Sequence, residues 1–205
     1  MMDLDRALAE ITEIRHQLAR GTEFRGYGPA TLAATGMLAA VAAIVQAWWL
    51  PEPAGEFDAY LALWSATAAI SVLLVGWETI TRSRRIHSDL AQEMIWSAVE
   101  HFLPAVAAGV LLTAVLIHTA PDSLWMLPGL WQVAFSLGVF ASWRFLPRPI
   151  VAVGIWYLAT GLGCLVLAKG EHIFSPWAMG GPYGLGQLLV AAILQWSFRA
   201  GDEQS

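Results

Sequence analysis

Six apolar runs set the pattern of this chain: Pro29–Leu50, Ala59–Trp77, Phe102–Thr119, Leu124–Trp143, Pro149–Ala168 and Ile173–Phe198. None contains a Lys, Arg, Asp or Glu. Each holds roughly the 20 residues that cross about 30 Å of hydrocarbon at 1.5 Å per residue. The pattern therefore predicts an all-α polytopic membrane protein with six transmembrane helices, at about 29–50, 59–79, 99–119, 124–143, 149–168 and 176–198.

A different rhythm precedes the first span. Leu4, Ala7, Ile11, Ile14 and Leu18 recur at alternating steps of three and four and stop before Gly21. That spacing predicts a short cytoplasmic amphipathic helix within residues 1–28. So short a helix is marginal by itself. It is expected to dock on the protein's own connector, on another protein or on a second copy, through Leu4, Ile11, Ile14 and Leu18. The connector Thr81–Ala98 has Ser88 as an N-cap, followed by Leu90, Ala91, Met94 and Ile95 at helical spacing. It is expected to run into the third span as one helix, kinked at Pro104.

Two spans carry helix-breaking residues towards their outer ends: Pro128-Gly129 in the fourth, and Gly180-Gly181-Pro182 with Gly184 in the sixth. Both spans are expected to be interrupted there. Freed backbone survives in a bilayer only where protein or a cavity satisfies it. The breaks therefore point either to close helix packing or to a cavity lined by Pro128, Gly129, Gly180, Gly181, Gly184 and Gln187.

Composition agrees with a membrane: 57% of residues are apolar and 13% charged, which is not a soluble balance. The flanking segments, residues 1–28, the connector and a tail at 199–205, leave no room for a separate soluble domain. Charge then adds direction. Arg6, Arg15, Arg20 and Arg25 precede the first run, Arg82, Arg84 and Arg85 follow the second, Arg144 and Arg148 follow the fourth, and Arg199 follows the sixth. The alternate loops hold only Lys169. This sidedness predicts a bacterial inner (cytoplasmic) membrane protein with both termini in the cytoplasm. The first 28 residues lack the apolar core of a signal peptide, so the first span is expected to serve as an uncleaved insertion signal. Trp48, Trp49, Trp77, Trp125, Trp143, Trp177 and Trp196 fall near span ends, where indole prefers to sit.

Chemistry is sparse. An ionisable group deep in the membrane would signal ion or proton coupling, and the six apolar runs contain no Asp, Glu, Lys or Arg. Their deep polar side chains are Gln46, Ser65, Thr67, Thr113, Gln132, Ser136, Tyr157 and Gln187, expected to bond between helices. Glu78, Arg84, Arg85, Glu100 and His101 gather near the inner ends of spans two and three. They form either an acid–base or headgroup site or a surface network that fixes helix depth. No nucleophile with an adjacent base is evident, and no catalytic residue is assigned. No cofactor or metal is expected: HExxH and CxxC spacings are absent, and Cys164 stands alone. His101 and His118 lie 17 residues apart on one predicted helix, about 25 Å, so one haem cannot use both. A net charge of -5 without a basic face argues against direct nucleic-acid binding.

Leu124-Trp125-Met126-Leu127-Pro128-Gly129-Leu130-Trp131, then Gly138-Val139-Phe140-Ala141-Ser142, and later Trp177-Ala178-Met179-Gly180 with Tyr183-Gly184-Leu185-Gly186-Gln187 resemble an uncharacterised family of bacterial six-span inner-membrane proteins. The family carries "LW-x-L…G-x-G-V" and "MG…G-x-G" runs, and the Phe24–Gly28 entry to the first span is similar to it as well. Members are often encoded beside winged-helix regulators, so the resemblance implies a regulatory association and carries over no catalytic residue.

The sequence thus supports a non-enzymatic sensory or regulatory partner protein. The alternatives are a carrier or channel for a small neutral or amphipathic solute, and a lipid-modifying membrane enzyme. Its partners would be the lipid bilayer and, through the N-terminal helix, another protein or a second copy. Reporter fusions placed after Arg85 are expected to register on the cytoplasmic side, and fusions within Pro51–Asp58 on the other. The reverse pattern would overturn the orientation.

Overall fold

The structure, a computed structural model, describes residues 28–86, 89–146, 148–167 and 174–202, and of these only the backbone at 82–95 and 197–202. The predicted N-terminal helix, with Leu4, Ile11, Ile14 and Leu18, lies outside the described residues. Among these residues the chain is helical throughout, without a strand. The long helices are α1 (Pro29–Trp49), α2 (Phe57–Ile86), α3 (Asp89–Thr119), α4 (Leu127–Ser142), α5 (Val151–Leu167) and α6 (Pro176–Asp202). Short 3-10 turns at Pro121–Met126, Trp143–Phe145 and Arg148–Ile150 flank α4 and lead into α5. Six stretches are long and apolar enough to cross a membrane, and the protein is an integral membrane protein.

The principal packing runs α2–α1–α6–α5–α4–α3. Helices α1, α6, α5 and α4 form the middle of this order, and α2 and α3 flank it. Buried positions of α1 are Leu32, Thr35, Gly36, Ala39, Ala42, Ala43 and Gln46, a repeat of threes and fours that makes one face. That face is mostly small, and it meets small residues on α6. A Cβ on Gly36 would lie 2.9 Å from the Gly184 carbonyl oxygen, and one on Gly184 would lie 3.4 Å from that of Gly36. Gly180 rests directly on Ala43. The α4/α5 pair repeats the device. Gly129 and Gly161 each turn their bare Cα towards the other's carbonyl, and a Cβ added to either would lie 2.8 or 2.9 Å from that oxygen. Such approach suits weak Cα–H···O contacts and the packing of membrane helices through small residues.

The flanking helices contrast with this. Among its described side chains α3 buries only Ala98 and Thr113. Val72 and Leu73 on α2, and Val110 and Leu111 on α3, are between 64% and 71% exposed. An apolar surface this continuous needs a non-aqueous surround, which the bilayer supplies. The interfacial tryptophans agree, with Trp48 and Trp49 bare at one end of the bundle and Trp77 and Trp196 at the other. Two bonds hold α3 to α4: Trp131 Nε1 donates to Thr113 Oγ1 at 2.8 Å, and Ser142 Oγ donates to the Ala98 carbonyl at 2.9 Å.

Two expectations change. The sixth span is not interrupted, because α6 is helical through Gly180, Gly181 and Pro182. The fourth is not interrupted at Pro128-Gly129 either. Helix α4 starts at Leu127 with Pro128 in its first turn, where a missing N–H leaves no helical bond unmade. The connector continues into the third span as one helix, as expected: α3 begins at Asp89 and runs through Pro104, while the expected N-cap Ser88 lies outside the described residues.

The glycine contacts give a direct test. Gly36→Leu is expected to destabilise the protein by about 1–3 kcal/mol through overpacking. Gly163→Ala, where a Cβ meets nothing within 4 Å, should be neutral or mildly stabilising. Thermal unfolding in detergent compares the two, and equal effects would remove the close-packing account.

Candidate functional site

The polar interior is organised by a proline. Pro182 has no N–H, so the carbonyl of Ala178, one turn earlier, loses its donor within α6. Gln132 on α4 replaces it: its Nε2 donates to the Ala178 carbonyl at 2.8 Å and to the Pro128 carbonyl of its own helix at 3.1 Å. Trp156 on α5 donates from Nε1 to the Pro182 carbonyl at 3.0 Å. The proline is thus tied from two neighbouring helices. A Cβ added to Gly181 would meet no atom within 4 Å. Its bareness matters locally instead, since a side chain just before proline disfavours helical backbone.

A second polar cluster closes the end of the bundle near the start of α6. Gln46, fully buried, accepts from Trp64 Nε1 at 2.8 Å and donates to the Phe174 carbonyl at 2.6 Å. Phe174 has φ 56°, a left-handed conformation costly for a residue with a bulky side chain. It is held from both sides. The Gln46 amide takes its carbonyl, and its ring packs 4.7 Å from Tyr60 and 5.6 Å from Phe57.

Between these lies an aromatic core. Phe135 of α4, Tyr157 of α5 and Tyr183 of α6 pack mutually, with ring centroids 4.6, 5.2 and 5.7 Å apart, and Phe102 of α3 adds a fourth ring 5.1 Å from Phe135. Around this core, Gln132 Oε1, Ser136 Oγ, Tyr157 Oη and Gln187 Oε1 are buried without a hydrogen-bond partner. Tyr60 Oη is a fifth such atom, but it belongs to the end cluster.

The residues singled out from sequence are distributed as follows. Glu78 turns to the start of α1, where its carboxylate lies against Gly28, a favourable place for an acid beside a helix N-terminus. His101 and Glu100 are exposed; His101 Nδ1 lies 2.7 Å from the Ser97 carbonyl, and its ring packs 4.9 Å from Phe145. Glu78 and His101 therefore serve different neighbours. The side chains of Arg84 and Arg85 are outside the described ones. Of the cavity candidates, Pro128 is buried at the start of α4, Gly129, Gly180 and Gly184 are occupied in helix contact, and Gln187 joins the unpartnered group. His118 sits in the last turn of α3, while His87 and His172 lie outside the described residues. No group of three or more His, Cys, Asp or Glu able to hold a metal occurs among the described residues. Sequence reasoning picks out Gln132, Ser136 and Tyr157 as deep polar groups, but it misses Phe174 and Tyr60 and does not connect Gln132 with Pro182. The four-residue step from Pro182 back to Ala178 is the signal that could have found that link.

Comparison with protein-family models, curated proteins and solved structures gave no match to this chain.

The link between Gln132 and Pro182 makes a testable pair. Gln132→Leu should cost about 1–3 kcal/mol by stranding the Ala178 carbonyl. In a Pro182→Ala background the restored backbone N–H serves that carbonyl, so the same change should cost less by about 1 kcal/mol. Additive effects in thermal or denaturant unfolding would contradict the assignment.

Proposed function

We propose that this protein is a non-enzymatic sensory or regulatory partner in a bacterial inner membrane, with both termini in the cytoplasm. Its docking surface is formed by residues 1–28 and by the adjoining ends of α2 and α3. The observation that carries the reading is the length of these two helices. Helix α2 has 30 residues and α3 has 31, against membrane-compatible stretches Phe57–Thr81 and Trp96–Thr119. At 1.5 Å per residue each helix is about 45 Å long, well beyond the roughly 30 Å of hydrocarbon. Both excess lengths lie on the side that bears Arg82, Arg84 and Arg85, which is the cytoplasmic side by the distribution of basic residues. These helices are also the ones least embedded in the bundle, and each joins its lipid-facing stretch directly to the proposed docking surface. The family resemblance, with members encoded beside winged-helix regulators, points the same way.

The test uses the full chain extracted in a mild detergent. Wild type is expected to migrate as a complex, with a cytoplasmic protein or a second copy. The Ile11→Asp/Ile14→Asp double variant should insert normally and migrate alone. An unchanged complex in the double variant would exclude residues 1–28 as the docking element and remove this reading.

A further inference from the structure

We propose that Gln132, Ser136, Tyr157 and Gln187 form an occluded site at the middle of the membrane for a small uncharged molecule that donates hydrogen bonds, with water as its simplest occupant. The placement follows from helix register. Gln132 packs on Gly161, and Phe140 packs on Gly154, so on the antiparallel α4/α5 pair Ser136 falls at the level of Tyr157. The Tyr157 hydroxyl reaches the backbone of α6 at Gly186, which has no Cβ to block it. There it lies beside the Gln187 amide without meeting it in hydrogen-bond geometry. Tyr157 and Gln187 stand within a residue or so of the midpoints of the spans Arg148–Leu167 and Pro176–Trp196, and Gln132 and Ser136 bracket that of Pro121–Phe145.

Four polar groups from three helices within about a helical turn of the same depth, all unpartnered, are an arrangement that native interiors avoid unless something occupies it. Hydrocarbon offers no alternative partner. The donor–acceptor inventory narrows the occupant. Gln132 Nε2 is committed to two carbonyls, which fixes the amide orientation and leaves Oε1 as an acceptor only. Gln187 Oε1 is a second acceptor, and the hydroxyls of Ser136 and Tyr157 adapt to either role. The site therefore asks for N–H or O–H groups. No Asp, Glu, Lys or Arg lies in any of the apolar runs, so a charged occupant would find no counter-charge. The four atoms are sealed from solvent.

The sign of a stability change distinguishes a filled site from stranded polar groups. Tyr157→Phe and Ser136→Ala each remove one hydroxyl oxygen. Taking away an unpartnered buried group is neutral or stabilising, whereas taking away one that bonds an occupant is destabilising. The full-length protein in nanodiscs is expected to melt roughly 2–4 °C lower for each variant. Magnetisation transfer from water to the side-chain amide protons of Gln132 and Gln187, present in wild type and lost in Tyr157→Phe, identifies water as the occupant. Lower melting without such transfer, together with a neutral solute released on denaturing the wild type and recovered by mass spectrometry, identifies a solute. Unchanged or higher melting temperatures overturn the site, and so does a lower melting temperature with neither water transfer nor a released solute.

Discussion

Lipid gives membrane helices no reward for burying one apolar side chain against another, so they associate through what hydrocarbon cannot provide. Here that is direct backbone contact at two places, Gly36 with Gly184 and Gly129 with Gly161. The carbonyl approach leaves no space for a methyl group on Gly36, Gly129 or Gly161. These contacts bring α1 against α6 and α4 against α5, and the remaining interactions depend on that spacing. Gln132 reaches Ala178, and Gln46 reaches Phe174, only because the helices that carry them lie so close to their neighbours.

The second constraint is that every main-chain group inside a bilayer must find a protein partner. Pro182 tests it most severely, because it deletes a donor within a span. The answer is a side-chain amide from the next helix, with an indole N–H from a third securing the proline's own carbonyl. This explains why a Gly-Gly-Pro sequence, which reads as a helix break, lies within an unbroken helix. The break is prevented by tertiary bonds and not by local propensity. Phe174 shows the same logic at the end of the bundle, where an unfavourable backbone conformation is fixed by Gln46 and two aromatic rings.

How much of this was legible in the sequence follows from which forces act locally. Span number and the long third helix are readable, because apolar length and helical spacing are properties of a single segment. The deep polar residues Gln132, Ser136, Tyr157 and Gln187 can be named for the same reason. What those residues bond to is not readable, since partners such as Gln132 and Ala178 lie 46 residues apart and depend on which helix pairs approach. Pro128-Gly129 and Gly180–Pro182 read as breaks because a single sequence weighs proline by its local effect alone. In one case the proline falls in a first turn, and in the other a neighbouring helix supplies the missing bond.

The molecule therefore divides by how its helices are held. Helices α1, α6, α5 and α4 are fixed by backbone contact and by bonds that would leave stranded polar atoms if broken. Helix α3 is attached through Trp131–Thr113 and Ser142–Ala98 and through Phe102 and Ala105, which pack on Gly138 of α4, and α2 through the Gln46–Trp64 bond together with the Tyr60 ring cluster. Interhelical hydrogen bonds in membranes are individually weak, about 0.6 kcal/mol on average. Helices α3, α6 and α2 all run on beyond their membrane-compatible stretches. The two longest helices thus lie at the flanks, and the four between them carry the reciprocal glycine contacts and the bonds that hold Pro182 and Phe174.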